Sequence, residues 1–334
     1  MPKKVIFLTG MYQPEVEAIS KEISYLTEKV ESFVYSRGSF PILKLGRKYL
    51  AYWNRLSFLD LLLRPISNRY DICHIYHVFS NMFFLKKLRD RPVIFTGCSE
   101  ISDVFGLADR LKSCSSVVVQ SLSMKTRLIE ARVPQEKLKV IYPGYPENHF
   151  YYQSPSASSF CILFASAPLF AENYFSRGVH LLLDFLSHTE LDIKFIFLWR
   201  DRCNAKVLEH QSSALKLINK RIKNMNQMYG KVHATIAPFA KVDGNKSCPN
   251  SIVESIMAGK PVLVSNLVGI ADVIKKYECG VAFDPEPRSL GDAISELISN
   301  YSHYQANCQK CASENFRFDV FCGKYLQLYD SVTA

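Results

Sequence analysis

The chain has 334 residues, of which 48% are hydrophobic and 22% are charged, and this composition suits two globular domains. No apolar run approaches the roughly 18 residues that span a bilayer, which excludes a helical integral membrane protein. The net charge is +10, and residues 1–150 carry most of it, with 22 Lys and Arg against 14 Asp and Glu. The first half is therefore expected to bind an anionic partner such as a phosphorylated acceptor, an acidic glycan or a membrane surface. Nucleic acid is not expected, because no recognition motif is present.

In the first half, short apolar runs alternate with segments of helical period, which indicates a parallel sheet with crossover helices. A helix with Ile19, Ile23 and Leu26 at helical spacing separates the first two runs, so a βαβ unit begins at once. The opening run is interpreted as a strand rather than a signal peptide, because it is short and acidic residues follow it. The predicted strands span residues 5–9, 32–36, 71–76, 92–96, 116–121 and 139–142.

Residues 40–66, FPILKLGRKYLAYWNRLSFLDLLLRPI, interleave basic side chains with aromatic ones. Such a mixture would suit the surface of an anionic membrane, with rings at the level of the headgroups. The alternative is a helix that packs its apolar side on the sheet and leaves its lysines in water.

The Ser- and Pro-rich segment 151–159 predicts a linker between a domain of residues 1–150 and a second one of residues 160–302. Residues 303–334 are expected to form helices that pack back on the first domain. The fold class is therefore α/β, with two Rossmann-like, doubly wound domains that face a central cleft, where ligands bind at strand ends. The predicted strands of the second half span residues 160–166, 193–199, 233–239, 261–265 and 280–283.

Ten cysteines are scattered along the chain, which is typical of reduced, buried thiols in a cytoplasmic protein. Cys308 and Cys311 have no second close pair to complete a zinc site, so no metal is expected. The sequence also lacks GxGxxG after the first strand and GxxxxGK[ST] anywhere. These absences argue against NAD or FAD binding and against a P-loop kinase or ATPase.

The most informative stretch is KSCPNSIVESIMAGKPVLVS, residues 246–265. Pro249 suits the start of a helix and Gly259 suits its end. Asn250 and Glu254 are four residues apart near the positive end of that helix, so they share one face. Free N–H groups there can bind a diphosphate, and a carboxylate beside them can bind ribose hydroxyls. The alternative is an ordinary amphipathic helix with one solvated glutamate.

This stretch resembles the carboxy-terminal domain of family 4 glycosyltransferases of the GT-B fold, whose motif reads PNxxxEAxAxGxPVV. GIADVI, ECGVAF and VIYPGYPENHF are similar to the segments that accompany this motif in the family, and DICHIYHVF, SVVVQS and SRGVHLLLDFL are similar to its other strands and helix. The resemblance covers most of residues 70–330 and is strongest over 246–284. It implies a hexosyltransferase-type enzyme that needs no metal and moves a sugar, with retention, from a nucleotide-diphosphate sugar to a glycan, lipid-linked or small-molecule hydroxyl.

Carried over by position, the resemblance implies that Glu254 binds the ribose of the donor and that Arg177 neutralises its diphosphate. Asn250 and Ser251 are further candidates for donor binding, since they begin the same helix. Arg200, in FLWRDR at the end of a predicted strand, is another candidate cation.

The chain departs from the family pattern at three places. Lys246 stands where the family has an acid near the donor sugar, and SAPLFAEN (166–173) lacks the Gly-Arg pair that binds phosphate. FTGCSE lacks a histidine near Cys98, which leaves His77 as the candidate catalytic group on the acceptor side. Since one cation is lost and another gained, Lys246 is interpreted as a catalytic residue that supplies charge to the leaving group. The alternative is a lysine on an exposed loop.

Two other functions stay open at this point. The departures fit a non-catalytic GT-B relative that only binds, and the fold also hosts other reactions, such as those of nucleotide-sugar epimerases. Glu254 and Arg177 together favour a donor site, because a scaffold has no need of a carboxylate and a cation in one cleft.

Overall fold

The computed structural model describes residues 3–15, 17–38, 43–79, 82–88, 91–156, 159–165, 173–199, 213–220, 222–243 and 245–333. The chain divides into two compact units, of which unit 1 comprises residues 1–144 and 318–334 and unit 2 comprises residues 145–317. Among the described residues, no helix has both the length and the hydropathy needed to cross a bilayer.

Unit 1 is built on a sheet whose described strands are β1 (Lys4–Thr9), β2 (Glu31–Gly38), β3 (Leu43–Gly46), β4 (Tyr49–Trp53), β5 (Ile72–His77), β6 (Val93–Gly97), β7 (Ser116–Val119) and β8 (Leu138–Val140). Their order is β3-β4-β2-β1-β5-β6-β7-β8, and every pair is parallel except β3 with β4. Chain order reverses between β1 and β5, which is where a doubly wound sheet binds its ligands. All six strands predicted for this half are present.

Helices cover both faces of this sheet. Along β1, Ile6 and Leu8 pack into one core while Val5 and Phe7 pack into the other, as the period of two requires for a central strand. The helices are α1 (Ala18–Thr27), α2 (Leu63–Ser67), α3 (Phe105–Lys112), α4 (Leu122–Glu130) and the C-terminal helix (Phe318–Thr333), with 3₁₀ helices at Ser57–Leu62, Phe84–Lys87 and Gln135–Lys137.

The prediction for residues 40–66 is wrong in one respect, because the described part of this segment is not a single helix. It forms β3 and β4, then the 3₁₀ helix Ser57–Leu62 and the short helix α2. Alternation explains the strands, since Leu50 and Tyr52 of β4 enter one core while the edge strand β3 stays exposed.

A buried hydrogen-bonded chain joins the C-terminal helix to the sheet of unit 1. The Tyr329 hydroxyl lies 2.8 Å from Nδ1 of His74, whose Nε2 lies 2.8 Å from the Thr96 hydroxyl. Thr96 in turn contacts the Tyr325 hydroxyl at 3.1 Å. These side chains are all buried, so the helix is fixed in position by polar contacts as well as by packing.

Unit 2 has its own parallel sheet, in the described order β11-β10-β9-β12-β13-β14. Chain order reverses between β9 and β12, so this sheet has a switch point too. The strands are β9 (Phe160–Phe164), β10 (Ile193–Leu198), β11 (Leu215–Ile218), β12 (Ala234–Ala237), β13 (Val262–Ser265) and β14 (Gly280–Phe283). The helices are α5 (Val179–His188), α6 (Asn226–Tyr229), α7 (Asn250–Met257), α8 (Ala271–Tyr277), α9 (Pro287–Ser299) and α10 (Tyr301–Asn315).

The division between the units differs from the predicted boundaries, since residues 145–156 and helix α10 belong to unit 2. Polar contacts explain the difference. The Tyr145 N–H donates to Phe316 O at 2.9 Å, and the Asn226 side chain accepts from Tyr151 N–H and donates to His149 O. The segment predicted as a linker is thus tied to unit 2 at its start.

Candidate functional site

The switch point of unit 2 is formed by two loops in direct contact. One precedes α5 and the other follows β12, and Ser176 O accepts hydrogen bonds from Ala240 N–H at 3.0 Å and from the Asn245 amide at 3.4 Å. Gly178 has a φ of +72°, and a Cβ there would lie 1.7 Å from Pro238 O. Only glycine allows this approach, so the contact depends on the Arg-Gly step of SRGVHLLLDFL.

Cations on both loops lie over aromatic rings. The Arg177 guanidinium is 5.0 Å from the centre of the Phe239 ring, and the Lys241 ammonium is 5.6 Å from that of Phe175. Such contacts orient the positive groups without neutralising them. Two cations, Arg177 and Lys241, thus lie on the loops at the switch point.

Lys246 lies at the amino end of α7. It is partly buried, and its ammonium donates to the side-chain carbonyl of Asn250, the first residue of the helix. The ammonium of Lys246 and the positive end of the α7 dipole repel each other. An anion bound beside them would therefore be stabilised by the ammonium and by the dipole. The sequence predicts the ends of this helix well, because Pro249 caps its start and Gly259, with a φ of +66°, follows its end.

Glu254 is held by a residue that the sequence did not suggest. Its Oε2 accepts a hydrogen bond of 3.0 Å from the hydroxyl of Tyr229, which also lies 3.3 Å from Ser251 O. Glu254 is 8% exposed and Tyr229 is 1% exposed. Burial, together with the nearby charge of Glu254, raises the pKa of Tyr229 well above its ordinary value, so the hydroxyl stays a donor.

The structure thus brings together most of the residues predicted to bind the donor. Asn250, Ser251 and Glu254 lie on the first turns of α7, and Lys246 bonds to the first of them. Arg177 follows Ser176, whose carbonyl oxygen accepts a hydrogen bond from the side chain of Asn245, the residue before Lys246. Arg200 lies outside the described residues, as do residues 166–172 of SAPLFAEN.

His77 belongs to unit 1, at the end of β5 and at the switch point of that sheet. Its Nδ1 accepts the Val78 N–H at 2.8 Å, so the neutral ring carries its proton on Nε2. Burial lowers the pKa of His77 to about 4, which keeps the imidazole neutral at pH 7. A Cβ at Gly10 would lie 2.3 Å from Nε2, so a glycine at the end of β1 makes room for the ring.

No cluster of three or more His, Cys, Asp or Glu side chains in the described residues could hold a metal ion. The nine described cysteines are buried. Cys308 lies near Cys279, with Sγ 3.6 Å from its carbonyl oxygen, and burial raises the pKa of Cys308 well above its ordinary value. These thiols therefore pack as small apolar groups between α10 and its neighbours.

A comparison with sequence families finds a match in this part of the chain. Residues 200–314 match the model described as glycosyl transferases group 1. The matched residues lie in unit 2. The match includes α7 and the loop before it, with Lys246, Asn250, Ser251 and Glu254. A comparison with curated proteins by sequence found no match.

Several solved structures share the fold over nearly the whole chain. Anabaena HepE in complex with UDP is 17% identical and covers 98% of this chain and 100% of its own, with a TM-score of 0.77. Sucrose-phosphate synthase from Thermosynechococcus elongatus is 12% identical, with 99% of each chain covered and a TM-score of 0.75. A glycosyltransferase from Rickettsia africae is 14% identical over 99% of this chain and 98% of its own, with a TM-score of 0.74. The chain therefore has the GT-B fold, as its sequence predicts.

Proposed function

We propose that the protein transfers a sugar from a nucleotide-diphosphate sugar to a hydroxyl acceptor, with retention and without a metal ion. One observation carries this proposal: α7 holds Glu254 one turn from Asn250, to which Lys246 bonds, in a unit that matches the glycosyl transferases group 1 model. The loop with Arg177 is hydrogen-bonded, through Ser176, to the loop that carries Lys246. HepE structures in complex with UDP, with UDP and glucose and with UDP-glucose share the fold, so uridine donors are the first to test.

Each group has a separate task in binding the donor. The carboxylate of Glu254, fixed by Tyr229, accepts hydrogen bonds from the ribose hydroxyls. The diphosphate lies against the amino end of α7, where the dipole and the cation of Arg177 balance its charge. Asn250 and Ser251 provide polar side chains on the first turn of the helix.

In the proposed reaction, the bond between the anomeric carbon and the diphosphate oxygen breaks, and the leaving group takes the electron pair. The acceptor hydroxyl forms a new bond on the same face of the sugar, and its proton passes to the departing phosphate oxygen. Negative charge grows on the diphosphate in the transition state, and Lys246 stabilises it there. A fixed cation of this kind lowers the barrier more than it lowers the energy of the bound donor.

The acceptor is proposed to bind unit 1, whose residues 1–150 carry the excess of positive charge. A phosphorylated, lipid-linked or acidic glycan acceptor would match that charge. His77 lies at the switch point of this unit, and we assign to it a contact with the acceptor or sugar hydroxyl.

The decisive experiment measures donor binding and turnover separately. Calorimetry with UDP, UDP-sugars and GDP-sugars, followed by a donor hydrolysis assay, is applied to the wild type, Glu254→Gln and Lys246→Ala. The first variant should weaken nucleotide binding about ten- to a hundred-fold, because hydrogen bonds to a charged group are lost. The second should lower turnover about a hundred-fold and change nucleotide affinity less.

Exposed residues provide matched controls, since Glu286→Gln and Lys310→Ala remove the same charges elsewhere on unit 2. Failure of the wild type to bind any nucleotide would overturn the proposal. Tight binding with neither hydrolysis nor transfer would support the second candidate, a non-catalytic relative, which the lysine at position 246 favours. Unchanged turnover in Lys246→Ala would remove the catalytic role of that residue alone.

A further inference from the structure

Unit 1 exposes five large apolar side chains on two neighbouring elements. Leu43 and Leu45 of the edge strand β3 are 57% and 73% exposed, and Phe58, Leu61 and Leu62 of the following 3₁₀ helix are 66%, 80% and 42% exposed. We name these five residues the apolar patch. A group of large exposed apolar residues on one surface is usually an interaction site.

The two halves of the apolar patch share one face of the sheet. Leu43 pairs with Tyr52 and Leu45 pairs with Leu50, and paired residues point to the same side. The Tyr52 hydroxyl donates to Asp60 in the middle of the 3₁₀ helix, so that helix lies on the same side as well. The two elements that carry the apolar patch therefore lie on the same face of the sheet, at its edge.

Buried contacts hold this surface in place from beneath. Leu50 is 5% exposed and Tyr52 is 1% exposed, and both belong to the core of unit 1. The Tyr35 hydroxyl donates to Leu59 O at 2.8 Å, and the Arg37 guanidinium donates to Asp60 at 2.9 Å. Buried side chains and hydrogen bonds thus hold the elements that carry the apolar patch in place.

Positive charge surrounds the apolar patch. Residues 43–69 contain six Lys and Arg but a single acid, Asp60. The charge of Asp60 is already paired, since its side chain is 11% exposed and forms ion pairs with Arg37 and with Lys87. Of the six cations, Arg47, Lys48 and Arg55 are exposed on the loops that join β3, β4 and the 3₁₀ helix.

We propose that the apolar patch docks unit 1 on an anionic lipid surface. The leucines and the phenylalanine would enter the boundary between headgroups and acyl chains, while the surrounding cations attract anionic lipids. The positive charge favours an anionic lipid surface over a second copy of the chain, because two copies that meet at this face would bring like charges together. The proposal concerns binding alone and does not depend on the proposed transfer reaction.

Vesicle sedimentation at low salt tests the apolar part of the proposal. The wild type should pellet with vesicles of phosphatidylcholine that contain about one-third phosphatidylglycerol, and stay in solution with pure phosphatidylcholine. The double variant Phe58→Ser and Leu61→Ser should weaken binding about ten-fold or more, because two anchoring side chains are lost. Phe105→Ser is the matched control, since Phe105 is 68% exposed elsewhere in unit 1.

A second pair of variants tests the charges. Arg47→Glu with Lys48→Glu should weaken binding at least about 25-fold, taking about five-fold for each cation removed from the surface. Arg110→Glu with Lys139→Glu changes the net charge of unit 1 equally at other exposed positions and should bind nearly as well as the wild type. Thermal unfolding of all variants should match the wild type, because the altered side chains are exposed.

Three results would overturn the proposal. The first is a wild type that ignores anionic vesicles at low salt. The second is equal loss of binding in the patch variants and in their controls. The third is concentration-dependent self-association, measured by analytical ultracentrifugation, that Phe58→Ser and Leu61→Ser abolish, because it would assign the apolar patch to a second copy of the chain.

Discussion

The hydroxyl of Tyr229 provides a sharp test of how the candidate site is held. Tyr229→Phe removes a single oxygen, which donates to Glu254 Oε2 at 3.0 Å. The ring itself should stay in place, since it is buried and packs edge-on against Phe150 with centroids 5.8 Å apart. The variant therefore leaves no large cavity and isolates the loss of one buried hydrogen bond to a carboxylate.

The expected cost follows from the burial of both partners. A hydrogen bond to a charged group contributes about 1.5–3 kcal/mol, and leaving a buried acceptor unsatisfied costs a similar amount. We therefore expect the free energy of unfolding to fall by about 2 kcal/mol, and the Tm of a unit of this size to fall by about 4–8 °C. Nucleotide affinity should fall too, because Glu254 loses a hydrogen bond that helps to orient its carboxylate.

The measurement pairs thermal unfolding with calorimetric titration of UDP. Tyr277→Phe is the matched control, because the Tyr277 hydroxyl donates to Glu314 at 2.6 Å in the same unit but in an exposed pair. That control should cost less than about 1 kcal/mol and leave nucleotide binding unchanged. Equal destabilisation by the two substitutions, or unchanged UDP affinity in Tyr229→Phe, would refute the reasoning.

Further predictions concern the backbone and the pH dependence of stability. Gly178→Ala should prevent stable folding of unit 2, because the new Cβ would lie 1.7 Å from Pro238 O. Gly323→Ala is the control and should be neutral or stabilising, because the space around Gly323 is open. Expression level and thermal unfolding of the two variants test this prediction. The folded-state pKa of His77 is lowered to about 4 by burial, so unfolding free energy should fall as pH drops from about 6.5 to 4, where only the unfolded chain gains the proton. His77→Gln should flatten that slope in denaturant titrations and the exposed His188→Gln should not; equal slopes would contradict the assignment.

Most of the strands that the sequence predicts correctly have runs in which apolar residues dominate. Val5 to Leu8 are all buried, because a central parallel strand is covered on both faces. The edge strands β3 and β11 escape prediction, because one side of each is uncovered and lysines interrupt their short runs. β4 also escapes prediction, because its alternation directly follows the basic residues Arg47 and Lys48.

The candidate site also has a part that the sequence predicts and a part that it does not. Helix α7 is predictable because Pro249 and Gly259 mark its ends and Glu254 has a fixed place along it. Tyr229 is not predictable, because it lies 25 residues earlier and meets Glu254 only through the packing of α6 against α7. The contact of Ser176 with Asn245 is likewise a product of topology, since it joins loops that are 69 residues apart in the chain.

The C-terminal helix also has a consequence for how the chain is synthesised. His74 and Tyr329 are 255 residues apart in sequence, so the part of the sheet that this helix covers stays uncovered until residue 329 has left the ribosome. Unit 2 is continuous in sequence and can complete its core earlier. We therefore expect the second unit to complete its fold first. The apolar face around Phe7 and Tyr76 stays exposed until the C-terminal helix packs on it, and a chaperone would bind this face in the meantime.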